Sequence, residues 1–313
     1  MARSTARTEA SGYQTVRLPW WRKVSPGFTL AMTAAVLGAV IMMVPFAWGA
    51  LTSFKPSAEY LRIPPTWLPE QWTLDGYELA LYRGNILTGL KNSFIVAGIS
   101  TVLMVLSAVL AGYAFARLRF PFSRVIFMIV LATMMIPWPV TLLPLFIMMV
   151  KFPLAGGNDI FGSGGRGLVD TYEGLILPSL GFAYGTYLMR EFFKALPAEL
   201  EDAARVDGAG ELRILFQIMV PLSKPAMAAL SIIAFQNNWN SFIWPLVMTN
   251  KPSMAVVQIV LQQLQLISSP TDRLFIRWDA VNAGGLLSLI PLAIFFLFFQ
   301  RYFIRGIAMT GFK

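Results

Sequence analysis

Between Pro197 and Pro225 an otherwise apolar chain turns charged, with Glu199, Glu201, Asp202, Arg205, Asp207, Glu211, Arg213 and Lys224 in one short run. At roughly 2.5–3.5 kcal/mol for each charge at a bilayer centre, this run cannot lie in lipid, so its chemistry is ion pairing or docking at a wet surface. A second cluster is neutral: Gln236, Asn237, Asn238, Trp239, Asn240 and Ser241, followed by Trp244 and Pro245. Its amides exchange hydrogen bonds with hydroxyl groups and an indole face stacks on the apolar face of a sugar ring, which suits a carbohydrate pathway. The same amides serve equally as hydrogen-bonded glue between membrane helices, and residue types alone do not choose between the two.

The chemistry that is missing narrows the function further. Without Cys or His, disulfides, thiol nucleophiles, Cys or His metal sites and histidine proton relays are excluded. No Gly-x-x-x-x-Gly-Lys-Ser/Thr sequence occurs, so an ATPase, if one drives this protein, is another chain. No catalytic residue, metal or cofactor is expected here, and the chain is read as no enzyme.

The elements that position these clusters are membrane spans. A composition of 56% hydrophobic and 13% charged residues describes a polytopic membrane protein. The net charge of +9 sits at the ends of apolar stretches rather than on one surface, which argues topology and not nucleic acid. Six spans are expected, at about 28–51, 92–116, 125–150, 171–190, 226–248 and 280–299. Of the 25 Lys and Arg, 16 fall in segments then read as inside, which puts both termini in the cytoplasm. The division is a cytoplasmic tail at 1–27, with Trp20 and Trp21 at headgroup level, a transmembrane domain at 28–303 and a cytoplasmic tail at 304–313. The span cores contain no Asp, Glu, Lys or Arg. Ion-coupled carriers and intramembrane hydrolases commonly need such groups. A secondary carrier acting without an ATPase remains the alternative, because sodium sites can be built from carbonyls and hydroxyls.

Between the spans, Thr52 to Lys91 is rich in Pro and aromatic residues and reads as an ordered outer cap. Lys151 to Asp170 reads as a flexible outside loop; it is Gly-rich but lacks the ending of a phosphate loop. Pro137, Pro139 and Pro144, with Trp138 among them, break backbone hydrogen bonds in the third span. Lipid tolerates this only beside other helices or a watery cavity.

The charged run reads as two short helices with a corner. Glu199, Glu201 and Asp202 favour the positive end of the first helix, Ala203 and Ala204 extend it, and Gly208 ends it in a left-handed turn. Leu212, Leu215, Phe216 and Met219 then recur as one apolar stripe. An amphipathic connector lying on the membrane surface would share these features.

The order Asp202-Ala203-Ala204-Arg205-Val206-Asp207-Gly208, with Pro221 beyond, resembles the cytoplasmic "EAA" loop of the permease subunits of ATP-binding-cassette importers, with Asp202 in place of the usual Glu and Glu201 just before it. Asn92-Ser93, the segment from Tyr113 to Pro121, Trp239-Asn240 with Pro245, and Gly306 to Lys313 are similar to the second permease of the maltose-type carbohydrate branch. The resemblance implies the all-α type I importer fold of six transmembrane helices in a prokaryotic inner membrane. Residues 191–225 would then be the coupling loop, with Glu201, Asp202, Ala203, Ala204, Asp207 and Gly208 docking on the ATPase and Gly306, Gly311 and Lys313 of the tail assisting. Its implied partners are a second related permease as heterodimer, two copies of a cytoplasmic ATPase carrying ATP and Mg, and an extracytoplasmic solute-binding protein. The implied substrate is a disaccharide, oligosaccharide, sugar acid, polyol or glycerol phosphate.

Overall fold

The computed structural model describes residues 26–60, 62–266 and 276–310. They separate into two units, one ending at Gly49 and one beginning at Ala50. The first is the greater part of helix α1 (Pro26–Thr52). None of its most apolar window is buried within the chain. A helix apolar on every side needs apolar surroundings, and lipid supplies them.

The second unit is organised along α2 (Ile86–Arg117), a helix of 32 residues that spans about 48 Å at 1.5 Å per residue. Its N-terminal half enters one buried cluster, where Val96 and Ala97 meet Trp239, Trp244, Met248 and Val260. Its C-terminal half enters a second, where Ala108 and Val109 meet Met189, Phe193, Met219 and Leu230. At Gly112 a Cβ would stand 2.7 Å from Met189 Cβ, so only glycine lets the two helices approach this closely.

The expected spans at 125–150, 171–190 and 226–248 are helical but broken, for identifiable reasons. The stretch expected as one span at 125–150 is α3 (Ser123–Thr133) and α4 (Trp138–Val150), bent by 104° at the break where Pro137 caps α4 in an extended conformation. The stretch at 171–190 consists of Tyr172–Ile176, a 3-10 turn at Leu177–Leu180, and α5 (Ala183–Ala195). Pro178 lacks an N–H and Gly181 leaves the helical conformation, so one continuous helix cannot form. After α6 (Glu199–Val206) the chain runs through short helical turns at Glu211–Leu222, bent by 80° from α7 (Lys224–Trp239), which stops at Asn240 before the short helix Ile243–Met248. The chain then forms α8 (Val257–Leu266) and the long α9 (Trp278–Thr310). Among the described residues three helices are long and apolar enough to cross a membrane, and up to five spans result if each sharply bent pair counts as one.

The segment at 52–91 forms an ordered cap, as its composition implied. Phe54 packs on Trp72 and Tyr77 at centroid distances of 5.6 and 5.2 Å. Glu59 is buried and accepts from Thr66 Oγ1 at 2.6 Å and Glu70 N at 3.1 Å, while Lys55 Nζ donates to Thr66 O. Burial alone would raise the Glu59 carboxyl, but these hydrogen bonds and Lys55 bring it below the usual carboxylate range. Its stabilisation is therefore present above the unfolded carboxylate pKa and lost as pH falls through the folded one. Glu59→Gln is expected to make the cap more protease-sensitive at neutral pH, with the difference from wild type closing as the medium is acidified through the carboxylate range.

The loop at 151–170, expected to be flexible, is folded. Asn158 Nδ2 donates to Val150 O at 2.8 Å and Phe152 O at 3.0 Å, and its Oδ1 accepts from Gly165 N at 2.8 Å. Asp170 Oδ1 accepts from Asn250 N at 2.5 Å and Lys251 N at 3.0 Å. Here the glycines permit left-handed turns that pack the loop on itself.

Candidate functional site

At the C-terminal end of α2 the charged run forms a platform held by ion pairs. Arg117 Nη2 donates to Phe193 O at 2.7 Å and Leu196 O at 2.6 Å, covering the carbonyl end of α5. Its Nε lies 2.7 Å from Glu201 Oε1 on α6, a charge contact without hydrogen-bond alignment. Arg205 is the second hub, reaching Glu201 Oε2 at 3.3 Å, Asp202 Oδ1 at 3.1 Å and Glu211 Oε1 at 3.0 Å. Tyr113 OH donates to Glu211 Oε2 at 2.7 Å. Side chains of α2 thus grip the platform on both sides of its corner.

The electrostatics follow from burial. Arg205, with Tyr113, holds the exposed-edge Glu211 carboxyl below the usual carboxylate range. Glu201 is only 2% exposed, and burial pushes its carboxyl up against the opposing pull of Arg117 and Arg205. Glu201 is thus turned inward as part of the clamp. The outward face of α6 is made by Asp202, Ala203, Asp207 and Gly208, with Val206 at its tip 88% exposed, while Ala204 is buried. Gly208 adopts φ +79°, the left-handed corner expected for it.

The apolar stripe after the corner is shifted. Leu215 and Met219 are buried as expected, but Leu212 and Phe216 are exposed, and Ile214 is buried in their place. A π-helical turn at Leu215–Met219 widens the spiral, so residues no longer repeat at the α-helical interval.

Nearer the N-terminal end of α2, a cleft of about 580 Å³ opens beside this helix. Ser93, Ser179, Asn237, Asn238 and Ser241 line it with neutral polar groups, and Trp138 and Trp244 with aromatic ones. The two indoles meet edge-on at 6.1 Å, and Trp244 Nε1 is fixed by Gly174 O at 3.1 Å. The proline-rich break before α4 is what brings Trp138 to the cleft. Ser93 also anchors α8, its Oγ accepting from Val257 N at 2.8 Å.

The neutral cluster divides. Asn237 is exposed and lines the cleft, as does Asn238, whose Nδ2 is also spent on Ala234 O at 2.8 Å and Met104 Sδ at 3.1 Å. Asn238 thus also joins α7 to α2. Trp239 is 2% exposed and stacks on Phe235; it belongs to the core, because its helical position faces the α2 side. Gln236 and Asn240 are exposed outside the cleft lining. Trp138, Ser179 and Trp244 also belong to the lining, and among these the Trp138 signal was the proline cluster around it. Gly306 lies in the last turns of α9; Gly311 and Lys313 lie outside the described residues.

A neutral cleft in a helical membrane unit, tied by one helix to a charged platform, defines a transport permease. Residues 104–309 match the family described as "Binding-protein-dependent transport system inner membrane component", and the chain belongs to it. It is 34% identical over 296 residues, 93% of this chain and 99% of the relative, to the arabinooligosaccharides transport system permease protein AraQ of Halalkalibacterium halodurans. It is 30% identical over 282 residues, 88% of this chain and 94% of the relative, to the sn-glycerol-3-phosphate transport system permease protein UgpE of Brucella abortus. The fold is similar to that of a bacterial ABC transporter involved in the import of the acidic polysaccharide alginate, with a TM-score of 0.72 at 24% identity over 89% of this chain and 98% of that one. The chain is accordingly a non-catalytic membrane component of an ABC transport system.

Proposed function

We propose that this chain is the permease subunit of an ATP-driven importer that passes a sugar from an extracytoplasmic binding protein into the cytoplasm by alternating access. Its partners are a second, related permease and two copies of a cytoplasmic ATPase that carries ATP and Mg. The protein crosses a prokaryotic inner membrane six times with both termini inside, the third, fourth and fifth crossings being interrupted helices. The outward face of α6 around Asp202, Asp207 and Gly208 docks on the ATPase, and the tail from Gly306 assists. The observation that carries this reading is the reach of α2: Ser93 and Met104 line the cleft, and Arg117 of the same helix holds the platform. Movement of the platform by ATPase closure would pull on the cleft through one rigid element.

The lining also speaks to substrate class. Among the described residues it contains no Lys or Arg, which a phosphate or sugar acid would need as partner. Amides, hydroxyls and two indoles favour a neutral oligosaccharide, in keeping with the named substrate of the AraQ relative.

Purification in mild detergent tests the assembly: one related permease and an ATPase with a phosphate loop should accompany this chain. Active uptake by the isolated chain, collapsing with an ionophore, would overturn the reading. In the assembled transporter Trp138→Ala should lower uptake about tenfold, the effect of losing about 1.4 kcal/mol, while leaving binding-protein-stimulated ATP hydrolysis in place. Uptake equal to wild type would remove Trp138 from the pathway.

A further inference from the structure

The folded loop at 151–170 carries an apolar tip that the transport reading does not use. Leu154, Ile160 and Phe161 are 77%, 66% and 86% exposed, an unusual outlay of large apolar side chains for a loop held by so many internal bonds. Its position is fixed against the end of α4: a Cβ at Gly162 would lie 2.0 Å from Lys151 O, and Leu168 N donates to Met149 O at 2.9 Å. Phe161 therefore sits beside the last turn of a helix whose Leu143, Ile147 and Met148 are themselves exposed.

The charges of the loop are sorted. Asp159 Oδ1 is turned back onto Phe161 N and Ser163 N at 2.8 and 2.9 Å, and Asp170 is bound to the 250–251 backbone. Lys151 and Arg166 are exposed, and among the described residues neither is paired with a carboxylate. Both acids are internally satisfied and both cations point outward, beside an aliphatic and aromatic tip at the end of a membrane helix. Such a combination matches a lipid interface, where apolar side chains enter the acyl boundary and cations meet phosphate.

We propose that this loop is a membrane anchor, its Leu154, Ile160 and Phe161 seated in the outer leaflet and Lys151 and Arg166 on anionic phospholipid headgroups. The anchor would fix the outer end of α4, and with it Trp138 at the other end of that helix, while the rest of the permease moves. The proposal rests on the loop lying outside.

The absence of cysteine from this chain allows a direct test on the whole transporter, assembled with cysteine-free versions of its partners, in vesicles of phosphatidylethanolamine and phosphatidylglycerol. Nitroxide is attached at Phe161→Cys or Arg166→Cys, and collision with oxygen is compared with collision with a water-soluble nickel chelate. Oxygen collision dominating at 161 and nickel collision at 166, unchanged by binding protein, is the expected result. Nickel dominating at 161 would make the tip an ordinary solvent loop. Immobilisation at 161 only after binding protein is added would assign the tip to protein docking; either outcome overturns the anchor. Sidedness is read separately: Arg166→Cys should react with an impermeant maleimide from outside. Reaction only from the cytoplasmic side would overturn the topology, whatever the depth at 161.

Discussion

Gly208→Val is expected to leave the transporter assembled in the membrane and able to hydrolyse ATP, with uptake falling at least tenfold. The cause would be conformational rather than steric. Gly208 has φ +79°, and a Cβ there would meet nothing within 4 Å. A left-handed backbone costs an ordinary L-residue roughly 1–2 kcal/mol, and a β-branched one is a stronger outlier. That strain falls on the corner between Arg205, whose O accepts from Gly208 N at 3.0 Å, and Glu211, to which Arg205 is paired. Relaxing it would re-aim the exposed face of α6 against the ATPase without touching either core cluster. Because a penalty of one or two kcal/mol changes a population by a factor of 5–30, coupling is the property to measure. The control is Gly208→Asn, a residue that tolerates the left-handed region. Vesicle uptake and ATP hydrolysis measured together should give near-normal coupling for Asn and uncoupling for Val. Equal behaviour of the two variants would show that backbone conformation at the corner is irrelevant.

That corner was legible because its signal is local: a glycine after a short charged helix has few other uses. The membrane class and the ordered cap at 52–91 were legible for the same reason, through hydropathy and clustered aromatics. What the sequence hid depends on irregular backbone or on distant partners. The π-helical turn at Leu215–Met219 invalidated a stripe counted at α-helical spacing, so Leu212 and Phe216 face outward. Trp239, adjacent in sequence to the cleft amides, faces the core because neighbours on a helix point about 100° apart. The glycines at 156–167 read as slack, yet the side chain that folds the loop is Asn158, whose partners lie up to eight residues away. The inward turn of Glu201 depended on Arg117, 84 positions earlier, and no local pattern pairs them.

That long-range pair yields the other large effect. Arg117→Leu should strip the nearly buried Glu201 of its closest cation and leave the Phe193 and Leu196 carbonyls without their shared donor. Breaking a buried ion pair by removing one partner typically costs about 3–5 kcal/mol, so a lowered unfolding temperature of the detergent-solubilised complex is expected. Glu201→Gln should be milder, because burial already opposes the Glu201 charge and the amide can still accept from Arg205. The double variant Arg117→Leu with Glu201→Leu should cost less than the sum of the two leucine variants, since no buried charge is left unpaired. Stability alone would fit any buried pair, so the decisive readout is functional. If α2 transmits platform movement to the cleft, the stability recovered in the double variant should not restore stimulation of ATP hydrolysis by loaded binding protein, because α2 and α6 remain unlatched. Recovery of that stimulation along with stability would show that the pair only holds the fold, and that the link between platform and cleft runs through α5 and α7 instead.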